Sequence, residues 1–262
     1  MTIALATAWD PRGEMTRFLS LLPQFQDAYS GIAFSLPPGV EPHLVEQLND
    51  PLHVTATVTE EWSHGRYSAL KFAVDFGATH IQYADFDRLL RWVETRPEEW
   101  RQILNEIPGH DCLILGRSAA SYLTHPRALI ETEAISNHVV SHLVGQLMDV
   151  SAGSKSFSRK ACETILLNSK PGNALGTDAE WPLILKRSGF VIDYLEVDGL
   201  DWESADRYQD EAADQQSQKE AADMYDADPA NWSRRVAVAM EIVQVGLDTL
   251  ARDIASNSKT EI

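Results

Sequence analysis

Asp85 and Asp87 stand one residue apart at the end of a short β-like run, Thr79-His80-Ile81-Gln82-Tyr83. In an extended chain residues i and i+2 point to the same side, so both carboxylates can face one ligand. Two carboxylates this close repel each other unless a cation lies between them. A hard divalent ion with oxygen ligands suits the pair, above all one that phosphates also hold. The spacing therefore predicts a metal–diphosphate site at the carboxyl end of a strand, where open α/β sheets bind their ligands. A solvated Asp-x-Asp turn is the other reading of the same residues.

A helix must lead into that strand. Over 64–76, Tyr67, Leu70 and Val74 recur at helical spacing, and Gly77 suits a C-cap. Further strands are expected at 3–8, 31–36, 53–59 and 111–116, with helices at 14–22, 45–49 and 97–107 between them. This alternation predicts an α/β domain built on a mainly parallel, twisted sheet covered on both faces. The second half reads as a helix over 126–148, a short strand at 155–157, helices over 158–167 and 178–187, and a final strand at 190–197.

Of the 262 residues, 22 are basic and 39 acidic, a net charge of -17 that disfavours nucleic acid and anionic lipid as partners. The two cysteines, Cys112 and Cys162, sit in apolar contexts, as buried thiols of a reducing cytoplasm do. No apolar run is long enough to span a membrane. The N-terminus lacks a basic flank and reads as a first strand, so a cytoplasmic location is expected. From Asp201 to Asp228 ten acidic residues face only Arg207 and Lys219, which predicts a solvated, partly helical or mobile connector. Three parts follow: a domain over 1–200, the acidic connector over 201–228, and a C-terminal helix with a frayed tail over 229–262. That helix carries two apolar stripes. Val236, Met240, Val243, Leu247 and Leu250 form one, and Val238, Ile242 and Val245 the other. Two faces predict packing on the chain's own domain or across a homodimer axis, away from any nucleotide.

The helix–Gly–Ala–strand–Asp-x-Asp order resembles the nucleotide-sugar-dependent glycosyltransferases of the GT-A fold, a Rossmann-like architecture. The inverting family-two branch of the dolichyl-phosphate-mannose-synthase type is the most similar. The resemblance covers roughly residues 1–200. It implies that Asp87 ligates Mg²⁺ or Mn²⁺, with Asp85 supporting the metal or the donor's ribose. Asp111-Cys112-Leu113-Ile114-Leu115-Gly116-Arg117 resembles the strand ending in Gly-x-Arg, which implies Arg117 near the donor phosphates; a surface salt bridge is its plainer role. The 148–161 segment resembles the family's Asp-x-x-x-Gly-Phe-Arg element, with Ser154-Lys155 in place of Phe-Arg. There Gly153 would let backbone approach the donor sugar. The 176–192 segment resembles an acid-bearing helix start facing the acceptor. It implies Asp178, then Glu180, as the base that takes the acceptor's proton; helix capping is the plainer account. Asp10 and Arg66 match regions near the nucleotide. The usual acid after the second strand is replaced by Ser35-Leu36-Pro37-Pro38. None of the eight histidines lies beyond His142, so the late histidine ligand of some GT-A enzymes has no equivalent.

The resemblance thus implies metal-assisted, inverting sugar transfer from a nucleotide-diphosphate sugar to a small-molecule, glycan or lipid-phosphate acceptor. The alternative is a degenerate GT-A domain that binds a nucleotide sugar or a protein partner without catalysis. Nucleotidyl transfer onto a sugar phosphate is disfavoured, because Ala6-Thr7-Ala8-Trp9-Asp10-Pro11-Arg12-Gly13 lacks a Gly-rich basic loop.

Overall fold

A computed structural model describes residues 1–204 and 208–255. The expected frayed tail at 256–262, and Arg207, lie outside the described residues. In chain order the elements are β1 (Ile3–Ala8), α1 (Met15–Ala28), β2 (Gly31–Leu36), α2 (Pro42–Asn49), β3 (Val54–Val58), α3 (Gly65–Asp75), β4 (His80–Ala84), α4 (Phe86–Thr95) and α5 (Pro97–Glu106). Then come β5 (Cys112–Arg117), α6 (Ala119–Tyr122), α7 (Arg127–Val144), β6 (Ser154–Ser158), α8 (Arg159–Asn168), α9 (Thr177–Arg187), β7 (Ile192–Val197), α10 (Gln215–Asp226) and α11 (Pro229–Ala251).

The seven strands form one sheet in the order β3-β2-β1-β4-β6-β5-β7. All pairings are parallel except those of β6, which runs antiparallel to both β4 and β5. The fold is therefore the expected helix-flanked, mainly parallel sheet with a C-terminal helix. Strands buried on both faces read as near-continuous apolar runs, and β1 and β5 do so. One face packs Leu5, Phe18, Phe34, Phe86, Trp92 and Trp100 into an aromatic-rich core. The other packs Ala4, Leu70, Ile81, Phe157 and Trp181 beneath α3, α8 and α9. Both cysteines are buried free thiols. No helix among the described residues is long and apolar enough to cross a membrane.

Two expectations change. The acidic segment does not begin in solvent. Asp201 and Glu203 are buried, and Arg91 donates to both, at 3.1 and 2.7 Å. Arg17 adds a 2.6 Å bond to Glu203. Acid density reads as solvation only until buried arginines neutralise it. The C-terminal helix α11 packs on α7 and α9 through Ala239, Ile242, Gly246 and Thr249. A Cβ added at Gly246 would lie 3.2 Å from that of Ala179, so the small residue sets the close approach. The stripe of Val236, Met240, Leu247 and Leu250 stays largely exposed.

Candidate functional site

The chain turns helical directly after Asp85. Asp85 is extended and precedes the first residue of α4, while Asp87 lies in that helix's first turn. The pair therefore spans a strand end and a helix start, and does not sit on one strand face as i, i+2 spacing predicts. Phe86 between them is buried against Trp9, Phe34 and Phe18, with ring centroids 4.6, 4.9 and 5.4 Å away. This aromatic anchor fixes the strand-to-helix corner and leaves both carboxylates on the wall of one cleft.

The cleft, about 340 Å³, lies at the carboxyl edge of the sheet. Asp10, Arg12, Arg66, Asp85, Asp87 and Arg88 line it, as do Trp9, Trp62 and Arg235 of α11. It continues past Arg12, Asp87, Arg88 and Arg235 into a second chamber of about 560 Å³, which Arg234, Trp202 and Tyr225 also line. The C-terminal helix thus contributes to the site, contrary to its expected separation from it.

Beneath the cleft floor lies a charge network. Arg66 Nη2 donates to both oxygens of Asp85, at 3.0 and 3.1 Å, and its Nη1 donates to Asp178 Oδ1 at 2.7 Å. Lys155 Nζ donates to the same Asp178 oxygen at 2.6 Å and to the Val150 carbonyl at 3.0 Å. Tyr83, which faces Lys155 across the β4–β6 pairing, donates its hydroxyl to Asp85 Oδ1 at 3.0 Å. Arg66 and Lys155 are buried, and they are balanced by Asp85 and Asp178. Burial would raise the Asp85 carboxyl, but Arg66, Arg88 and Lys155 together hold it below the usual carboxylate range. Asp87 behaves oppositely. Burial, with Asp85's charge beside it, pushes its carboxyl up against the pull of Arg88 and Arg12.

Gly153 lies against Asp85. Its carbonyl accepts from Asp85 N at 2.8 Å. Its φ is +78°, and an added Cβ would lie 2.4 Å from Asp85 Oδ2. Gly153→Ala is expected to cost about 2 kcal/mol or more, from left-handed strain together with that clash. Urea unfolding checks this, and a change within 0.5 kcal/mol, the ordinary range of about ±0.5 kcal/mol for surface substitutions, would refute it.

The structure brings Asp10, Arg66, Asp85 and Asp87 together on the cleft, with Gly153 against Asp85 and Asp178 behind Arg66, and sets Arg117 and Glu180 apart. Arg117 is buried and lies neither in the cleft nor on the surface. Its Nε donates to Asp149 at 2.7 Å, its Nη2 pairs with Glu133 at 2.7 Å, and its guanidinium lies over Tyr122. Glu180 is fully buried, accepting from Ser169 Oγ and from Arg252 Nη2, both at 2.5 Å. Asp178 is buried as the partner of Arg66 and Lys155. Neither acid opens onto the cleft here, and neither caps its helix, whose N-cap is Gly176 with no side-chain bond.

Sequence reasoning missed Lys155, Arg88, Arg234 and Arg235. Lys155 stood in the Gly-Phe-Arg position as a basic residue, which was a usable signal. The arginines of α11 come close to Arg12 and Arg88 only through the tertiary packing of a helix distant in the chain from both, so local pattern carried no trace of them.

No protein-family model matches the chain, and no curated protein matches it. Among solved structures, the crystal structure of M. tuberculosis glucosyl-3-phosphoglycerate synthase aligns over 96% of this chain and 81% of its own, with a TM-score of 0.58 and 12% identity. The same synthase from Mycobacterium tuberculosis in complex with uridine-diphosphate aligns over 90% and 80%, with a TM-score of 0.48 and 12% identity, a likeness too loose to bear on function. The first similarity is one of fold, and this chain has the GT-A architecture.

Proposed function

We propose that this chain transfers a sugar from a nucleotide-diphosphate donor to an acceptor hydroxyl, with inversion and with help from a divalent metal. The observation that carries the proposal is the placement of Asp85 and Asp87 on one cleft at the carboxyl edge of a GT-A sheet, where ligands bind in open α/β folds. The glycosyltransferase neighbour supports it through the fold they share.

A metal fits the residues present. Asp87 is an ionisable carboxyl held under a raised pKa by burial and by a like charge, and a cation beside it relieves both. Among the described residues no group of three or more metal-ligating side chains exists, so Asp87 with Asp85 would supply only part of a coordination shell. Diphosphate oxygens and water would complete it, the habit of Mg²⁺. When bound, the ion would neutralise charge on the leaving nucleoside diphosphate. Arg12, Arg66 and Arg88 line the same cleft and suit phosphate oxygens through their planar forks. Trp9 and Trp62 offer flat apolar walls to the nucleoside or sugar. The adjoining chamber, with Arg234 and Arg235 added to Arg12 and Arg88, suits an acceptor that carries an anionic group. This gathering of arginines stands out in a chain of net charge -17.

A base must reach the attacking hydroxyl, and Asp178 meets the cleft only through Arg66. In the proposal Asp178 therefore holds Arg66 and Lys155 in place, and Glu180 ties α9 to Arg252.

Thermal shift with UDP, GDP, CDP and dTDP, each with and without Mn²⁺, tests the donor side. A ligand that binds only the native state raises the melting temperature, by about 2.7 kcal/mol of stabilisation at 100 times its Kd. At least one nucleotide is expected to give a shift that Mn²⁺ enlarges. No shift with any of the four at millimolar concentration would overturn the proposal.

A further inference from the structure

From the geometry of Arg66 between Asp85 and Asp178, we infer that Arg66 is a built-in counter-ion that competes with the divalent metal for Asp85, so that metal binding depends on the donor diphosphate. This rests on the metal-assisted reading of the cleft and adds its regulation.

A carboxylate offers about four lone-pair sites. Asp85 already uses three of them, two for Arg66 Nη2 and one for the Tyr83 hydroxyl. A cation that takes Asp85 as ligand must share it with a guanidinium held against both oxygens. Two cations at one carboxylate repel each other, and the partly buried setting, with the Asp85 side chain 26% exposed, screens them weakly. The apo site therefore resists metal. Asp87 alone, at the start of α4, is a single carboxylate and a weak anchor.

Arg66 need not leave the site to yield. Its Nη1 stays on Asp178 at 2.7 Å, and Lys155 holds the same oxygen from the other side at 2.6 Å. That anchor keeps the guanidinium at the cleft, whose wall Arg66 already lines. When a diphosphate arrives, the freed Nη2 gains phosphate oxygens in place of Asp85, and the vacated carboxylate lone pairs become available to the metal. Metal and nucleotide then each improve the other's binding, by the same factor, as linkage requires. Arg66 is a positioning residue in this scheme. It assembles the donor site in one concerted exchange of partners and prevents stray metal from occupying the cleft.

The test is Mn²⁺ binding to the full chain, followed by electron paramagnetic resonance of free Mn²⁺ and by calorimetry, with and without the tighter of UDP and GDP. Wild type is expected to bind Mn²⁺ weakly alone and about tenfold or more tightly with nucleotide, within the usual range of coupling. Arg66→Gln is expected to bind Mn²⁺ about tenfold tighter than wild type in the absence of nucleotide, and to bind nucleotide more weakly, so that the coupling shrinks. A merely structural role for Arg66 would weaken both ligands together. Should Arg66→Gln fail to fold by circular dichroism, Arg66→Lys serves. It keeps the charge but lacks the fork that spans both carboxylates, and it is expected to shift Mn²⁺ affinity in the same direction. A folded variant whose nucleotide-free Mn²⁺ affinity equals or falls below that of wild type overturns the counter-ion role and leaves the metal site standing. Absence of Mn²⁺ binding to wild type and variant alike, with and without nucleotide, overturns the metal site and this inference with it.

Discussion

Replacing Asp178 with alanine is expected to cost about 3–5 kcal/mol of folding stability, the usual penalty for stripping one partner from a buried ion pair. The size follows from what the carboxylate holds. One oxygen, Oδ1, accepts from Arg66 Nη1 at 2.7 Å and from Lys155 Nζ at 2.6 Å. Lys155 is about 1% exposed. Without Asp178, Arg66 keeps Asp85 as its carboxylate partner, and Lys155 loses its only side-chain ion pair among the described residues. Asp178→Asn keeps an acceptor oxygen for the Oδ1 bonds while losing the charge and exchanging the other oxygen for an amide, so its loss should be smaller than that of the alanine variant. Urea unfolding of both variants at neutral pH measures the difference. An alanine variant within 1 kcal/mol of wild type, below the roughly 1–3 kcal/mol cost of one unsatisfied buried group, would mean that water reaches the network and that Asp178 is not its anchor.

Asp178 also shows where sequence reading stops. The acid at the start of α9 was legible as an acid near a helix N-terminus, a position that suits either catalysis or capping. Its actual partners lie 112 and 23 positions away, in α3 and β6, and no local pattern encodes such a meeting. Glu180 is held by Arg252, 72 positions on. Arg117 was legible as a guanidinium at a strand end, but its destination depended on Glu133 and Asp149, which local periodicity treats as ordinary helix and loop residues.

By contrast, β1, β2 and β5 are short apolar runs bounded by turn residues, and they were legible as buried parallel strands because period and punctuation are local properties. The antiparallel placement of β6 was not, since register depends on where a chain returns after α7. Helix α4 was hidden by the very motif that marked the site. Reading Asp85 and Asp87 as an extended pair left no room for a helix starting at Phe86, although Phe86, Leu89, Leu90 and Val93 sit at helical spacing and are all buried.

Asp87 carries the other large expectation. Asp87→Asn should abolish the Mn²⁺-dependent part of nucleotide binding, a loss of more than about tenfold or ~1.4 kcal/mol, while raising the melting temperature of the ligand-free protein. Both effects follow from one property. Burial, reinforced by Asp85, raises the Asp87 carboxyl above its ordinary value. In the fold its charged form is disfavoured relative to the unfolded chain. The fold is thus free of the penalty below the unfolded value of about 3.9, acquires it as pH rises, and bears it in full above the raised folded value. The Asn variant never acquires it. Its advantage in melting temperature should therefore be present at pH 7 and vanish near pH 3. A bound cation relieves the same penalty in wild type. Mn²⁺-dependent stabilisation should accordingly weaken as pH falls through the raised Asp87 value, because protons then compete with the metal for the carboxylate. Thermal shift of wild type and Asp87→Asn across pH 3–8, with and without Mn²⁺ and nucleotide, measures every part of this. Undiminished Mn²⁺-dependent nucleotide binding by the Asn variant would remove Asp87 from the metal site. A ligand-free variant less stable than wild type at pH 7 would mean that the attraction of Arg88 and Arg12 to the Asp87 charge outweighs the cost of burying it.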